Sequence, residues 1–139
     1  MEEPIWATEL IKGVLAAEKR TRRPVIEWKH SSHYSSGVCH RSSSAKARSW
    51  HWHGKRCQTT DITIRLGKGT GHDHPGRALL LHELSHWLIR PGHRHDMVFW
   101  RKTWGLYSHF LSATDFTRMM HSEFNYMKKA EVCFNQMFG

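Results

Sequence analysis

Leu79-Leu80-Leu81-His82-Glu83-Leu84-Ser85-His86-Trp87-Leu88-Ile89 is the most apolar stretch of the chain, and its reading decides the fold. Pro75 opens a helix here and Arg90-Pro91-Gly92 stops it, so the helix runs to about Ile89. Its apolar residues surround the axis, and a helix apolar all round belongs in a core. Yet the same stretch carries His82, Glu83 and His86 as an H-E-x-x-H motif. Residues four apart on a helix lie about 40° apart around the axis and about 6 Å along it, so both imidazoles can reach one zinc. Glu83 stands beside them, where a carboxylate can take a proton from a metal-bound water. Burying three titratable side chains without partners would cost several kcal/mol, and a metal removes that objection.

A catalytic zinc takes three protein ligands and a water. The metzincin spacing puts a third ligand at position 92, which is Gly92. The thermolysin pattern would use Glu123 or Glu131, and His93 and His95 lie closer in sequence. His72 and His74 flank Asp73 just before the helix and read as ordinary polar side chains of its entry loop.

Outward from the motif, Asp61-Ile62-Thr63-Ile64-Arg65-Leu66 alternates with period two and predicts a strand with Ile62, Ile64 and Leu66 on one side. Gly67 to Gly76 predicts a loop. Val25-Ile26-Glu27-Trp28 and Trp50-His51-Trp52-His53-Gly54 predict further strands, and the Ser/Gly-rich residues 31–49 a connection. Pro4 to about Arg20 predicts a helix with Ile5, Trp6, Leu10, Val14 and Leu15 on its apolar side. Asp96 to about Leu111 predicts another, with Val98, Phe99, Trp104 and Leu106 in the core. Ser112 or Thr114 is expected to cap a last helix reaching about Phe138.

Composition bounds the rest. The 139 residues suit one domain, and seven Trp and six Phe can build a core despite a hydrophobic content of 39%. No apolar run approaches the roughly 20 residues that cross a bilayer, so no membrane partner is expected. The acidic start lacks the apolar region of a secretory signal. Cys39, Cys57 and Cys133 show no C-x-x-C spacing, which fits a reducing, cytoplasmic setting. Residues 19–56 hold ten basic residues against Glu27 alone, a surplus that equals the whole net charge of +9. Such a field suggests DNA or RNA as a partner, with Arg41, Lys46 and Arg48 as phosphate contacts and Trp50 and Trp52 as stacking platforms.

Leu80-Leu81-His82-Glu83-Leu84-Ser85-His86-Trp87-Leu88, a short turn, and Gly92-His93-Arg94-His95-Asp96-Met97-Val98-Phe99 together resemble the SprT-like family of zinc metallopeptidases. The resemblance covers roughly residues 24–111. It implies that His95, in the family's H-G-x-x-F-like element, is the third ligand beside His82 and His86, with Glu83 as the catalytic base. Asp96 stands where the family usually has Gly, and no Pro-Glu precedes Phe99.

The expected fold is α+β and zincin-like, a small, mainly antiparallel sheet packed against an active-site helix and flanking helices. One domain spans 1–139: an N-terminal helix (1–23), a core (24–111) and a C-terminal helix (112–139). The implied activity is that of a zinc-dependent metalloendopeptidase with one Zn2+ per chain, hydrolysing peptide bonds in protein or peptide substrates and extending to DNA-associated proteins. The strand Ile62–Leu66 is expected to be the edge that pairs with an extended substrate. His93, Arg94, His72 and His74 are the candidates for stabilising an oxyanion. The alternative is an anti-restriction-like module that binds nucleic acid through residues 19–56, carries a metallopeptidase-like zinc site and shows little proteolysis. Nucleoid or nuclear association would accompany either DNA-linked reading.

Overall fold

The computed structural model describes residues 1–32, 34–40, 49–52, 55–58, 60–67 and 76–139, with the backbone alone at 49–52 and 55–58. The alternating Ile62-Thr63-Ile64-Arg65-Leu66 forms β5 (Ile62–Leu66), flanked by β1 (Ile26–His30) and β2 (Ser36–Cys39). The order β1-β5-β2 makes β5 the middle strand, not the edge. It runs parallel to β1, with Trp28 opposite Ile64, and antiparallel to β2, with Gly37 opposite Ile64. The sheet is therefore mixed, where the sequence suggested a mainly antiparallel one.

The physical reason lies in two anchors. Ile62 and Ile64 are completely buried, which a central strand achieves and an edge strand does not. Asp61 fastens the entry: its carboxylate accepts the Val25 amide at 2.9 Å, its own amide donates to the Val25 carbonyl, and its carbonyl accepts the His40 amide. Both neighbours are thus tied to the residue that starts β5. The expected loop over 31–49 instead contains β2, whose Ser-Gly-Val-Cys sequence has little strand propensity and is recruited by pairing. The tryptophan-rich segment forms β3 (Ser49–Trp52), which pairs with β4 (Lys55–Gln58) as a separate antiparallel ribbon.

Five helices complete the order: α1 (Ile5–Ala17), α2 (Gly76–Leu88), α3 (Met97–Phe110), α4 (Ala113–Tyr126) and α5 (Lys128–Phe138). The helix α2 lies between β2 and β5 on one side and α3 on the other. That explains its all-round apolarity: Ala78, Leu80, Leu81 and Leu84 are fully buried, each Leu adding about 1.5–3 kcal/mol of transfer free energy. On α1 the buried stripe is Ala7, Ile11 and Val14 rather than the Ile5 side, and Ile5 is exposed. On α3 the buried face is Phe99, Trp100, Thr103, Trp104, Leu106 and Tyr107, while Val98 faces solvent.

The expected single last helix is two. Ser112 caps α4 by accepting the Asp115 amide, but Met127 adopts an extended conformation (φ −148°, ψ 130°) that ends it. The break turns α5 back onto α3, where Ala130 and Cys133 are buried and the Trp104 indole donates to the Ala130 carbonyl at 2.9 Å. Trp104 stacks edge-on against Tyr107, Phe116, Phe124 and Phe134, joining α3, α4 and α5 in one aromatic cluster. No helix among the described residues is long and apolar enough to cross a membrane.

Candidate metal centre

The spacing on α2 presents His82 and His86 on one face. The chain then leaves α2 through Pro91-Gly92. Gly92 has φ +97°, a conformation that costs glycine little and side-chain-bearing residues much. This turn brings His95 back over α2. Asp96 follows as the N-cap of α3: one carboxylate oxygen accepts the Phe99 amide at 3.0 Å and the other pairs with Nδ1 of His93 at 2.7 Å. Burial works to raise the Asp96 pKa, but the bonds from His93 and the Phe99 amide hold it below the ordinary carboxylate range. Asp96 thus fixes the helix start and holds His93 aside.

The three imidazoles converge. Nε2 of His95 lies 3.2 Å from Nε2 of His82 and 3.2 Å from Nε2 of His86. One nitrogen of each of the three rings lies within 4.8 Å of the others, so His82, His86 and His95 could hold a metal ion. The fit is quantitative: nitrogens bound at about 2.0–2.1 Å in a tetrahedral site stand about 3.3 Å apart. Three ring nitrogens facing one another cannot all be satisfied by sharing protons, and a cation on their common side satisfies all three. Phe99 is the platform beneath them, stacked on His86 at 4.1 Å and edge-on to His82 and His95 at 4.9 Å each. Burial, and then the neighbouring His82, push the His95 pKa down against the opposing charge of Glu123, which favours the neutral form a metal requires.

Glu83 is buried at 4% exposure, with Oε1 4.0 Å from Nε2 of His82 and Oε2 without a hydrogen-bond partner. That distance from the His82 nitrogen is too long for a direct bond but within reach through one water. Burial raises its pKa, opposed in part by His82.

The histidines open onto a cleft of about 640 Å³. Its walls are β2, through Gly37, Val38 and Cys39, and α4, through Met119, Glu123 and Tyr126, with His93 and Arg94 at the turn. Of the alternative third ligands, Glu131 is exposed on α5, while Glu123 sits behind His82 rather than with the ligand nitrogens. The predicted contacts Arg41, Lys46 and Arg48, and the loop residues His72 and His74, lie outside the described residues; Trp50 and Trp52 are described in backbone only.

Two participants, Tyr107 and Gly37, were not read from the sequence as parts of this site, and Glu123 was read there only as an alternative ligand. Tyr107 is fully buried with an unpartnered hydroxyl; burial, then the carboxylates of Glu123 and Glu83, push its pKa well above the usual phenol range. Its place on the buried face of α3, four residues after Thr103, was the available signal. Glu123, weighed from the sequence as a ligand, stands instead behind His82, four residues after Met119 on the apolar side of α4. Gly37 had no signal, because its importance comes from pairing with β5. No family model, curated protein or solved structure matches the chain.

Proposed function

We propose that this chain is a zinc-dependent endopeptidase with the site arrangement of the SprT-like family. The observation that carries the reading is the convergence of His82, His86 and His95 beside a buried Glu83 at the base of a cleft. Three imidazoles with a carboxylate next to the first of them are the donor set of a catalytic zinc rather than of a structural one. A zinc ion held there supplies Lewis acidity and lowers the pKa of a bound water toward 7.

The protein supplies the rest. Glu83 accepts a proton as water attacks the scissile carbonyl and passes it to the leaving amine. Phe99 keeps the three rings in one orientation. The strand β2 lines the cleft through Gly37, Val38 and Cys39, and an extended substrate lies alongside it there. This role moves from β5, where the sequence suggested it, to β2. The basic surplus of residues 19–56 supports a second reading, a nucleic-acid-binding module with a metallopeptidase-like zinc site, and an association of the two would direct hydrolysis to DNA-associated proteins.

Glu83→Gln separates them. The variant should keep fold and zinc while cleavage of a fluorescently labelled unfolded protein falls by at least about a hundredfold, since general acid–base catalysis is worth about that much or more. Cleavage by the variant at the wild-type rate would remove the catalytic reading.

A further inference from the structure

Glu123 is a carboxylate that neither the ligand set nor the proton transfer employs. It projects from α4, is 6% exposed, and its Oε2 has no hydrogen-bond partner. An unpaired buried carboxylate costs several kcal/mol, so a fold that keeps one in place needs a compensating group nearby. That oxygen is 3.7 Å from Nδ1 of His82, on the side of the ring opposite the nitrogen that faces His95. The separation exceeds a hydrogen bond by about 0.7 Å, within the reach of a small rotation of the Glu123 side chain.

We infer that Glu123 is a positioning residue for the metal centre: it accepts the Nδ1 proton of His82 and so fixes the ring with Nε2 turned to the metal. This inference rests on the metal-centre reading above. Its chemistry is general. An imidazole can offer only one lone pair to a metal, and a carboxylate on the other nitrogen selects the tautomer, orients the ring and raises its basicity. The compensation runs both ways, because a metal on Nε2 makes the Nδ1 hydrogen a stronger donor to the buried carboxylate. The arrangement also gives α4 a function. The helix lies outside the 24–111 stretch that carries the family resemblance, yet it supplies both a wall of the cleft and the group behind the first ligand. The break at Met127 then has a consequence for the site, since it lets α4 face the cleft while α5 packs on α3.

The test is zinc affinity, measured by competition with a chromophoric chelator, for wild type, Glu123→Ala and Glu123→Gln, each alone and combined with His82→Ala. Circular dichroism and thermal melting of the metal-free proteins check the fold. We expect Glu123→Ala to weaken zinc binding about 10- to 100-fold. Glu123→Gln should recover much of that loss, because its amide oxygen still accepts the Nδ1 hydrogen. In the His82→Ala background, Glu123→Ala should cost nothing further, which a purely structural role for Glu123 would not produce. Wild-type affinity in Glu123→Ala, or an equal loss in both His82 backgrounds, overturns the inference while leaving the metal centre intact. A changed Co2+ absorption spectrum in Glu123→Gln also overturns it, by making Glu123 a ligand. Absence of zinc binding by the wild type would instead bring down the metal-centre reading itself.

Discussion

Gly37 and Glu83 occupy adjoining space so tightly that a Cβ on Gly37 would stand 2.8 Å from Cγ of Glu83 and 3.1 Å from Cδ1 of Ile64. The strand β2 therefore passes directly over the carboxylate proposed as the general base. Neither neighbour has room to withdraw, because Glu83 and Ile64 are both buried. Gly37→Ala should cost about 1–3 kcal/mol as an overpacked site. It should reduce peptide hydrolysis more than stability, since the displaced group is Glu83, and leave zinc content at one per chain, since no histidine moves. Melting temperature, metal content and cleavage rate, measured on the same preparation, check this. An alanine variant with wild-type kcat/KM would show that the carboxylate is free to yield.

The turn between α2 and α3 presents two histidines, and the structure gives them different partners. His93 pairs with Asp96, whereas Nε2 of His95 meets those of His82 and His86. Metal analysis after dialysis against a mild chelator should find His95→Ala depleted of zinc and His93→Ala fully loaded. The opposite pattern would transfer the third ligand to His93.

Glu3 links the start of α1 to the sheet. Its carboxylate accepts from both terminal guanidinium nitrogens of Arg23, from the Thr8 hydroxyl at 2.6 Å and from the Trp28 indole N–H at 3.2 Å. Burial acts to raise its pKa, but these bonds and the Arg23 charge hold it below the ordinary 4.5. A carboxyl with a depressed folded-state pKa contributes stability that is present above its unfolded value and is lost as pH falls through the folded one. Glu3→Gln should therefore lower stability at neutral pH by about 1 kcal/mol, discounted for the partly exposed Arg23. The gap between variant and wild type should close as pH drops below about 4.5. Urea denaturation at pH 7 and at pH 3 reads it directly, and a gap that persists undiminished at the lower pH would exclude the ionised carboxylate as its source.

How much of this was legible depends on whether the deciding information is local. The spacing of His82 and His86 is local, and so are the apolar run of α2, the alternation of β5 and the cap at Ser112. Each was visible as a pattern within one element. Which strand β5 pairs with is not local: its central place follows from Asp61 bonding Val25 and His40, residues distant in sequence. The strand Ser36–Cys39 and the break at Met127 have no strong propensity of their own, and both are settled by what packs against them. His95 required the family pattern, because nothing in Gly92-His93-Arg94-His95 distinguishes the two histidines until the Gly92 turn and the His93–Asp96 pair set their directions.

The basic segment supplies the remaining prediction. Within residues 19–56 several described cations already serve the fold: Arg20 donates to the Leu88 carbonyl at the end of α2, Arg23 forks onto Glu3, and Lys29 pairs with Glu27. A polyanion would therefore draw chiefly on residues 41–56, where Arg41, Lys46 and Arg48 lie in sequence beside Trp50 and Trp52. Binding should be independent of base sequence and should weaken steeply with salt, because each neutralised phosphate releases condensed counterions, with a slope of about −0.7 per contact on single strands. Replacing Arg41, Lys46 and Arg48 together by Ala should lower affinity evenly across sequences and flatten that slope. Zinc content should not change, since none of the three is a ligand. Fluorescent single-stranded and duplex oligonucleotides titrated at several salt concentrations measure all of this. Lack of saturable binding even at low salt would remove nucleic acid as a partner and leave the peptidase reading alone. Binding unaltered by the triple substitution would shift the contact surface elsewhere, first to the Arg90–Lys102 stretch, of which Arg94 lines the cleft.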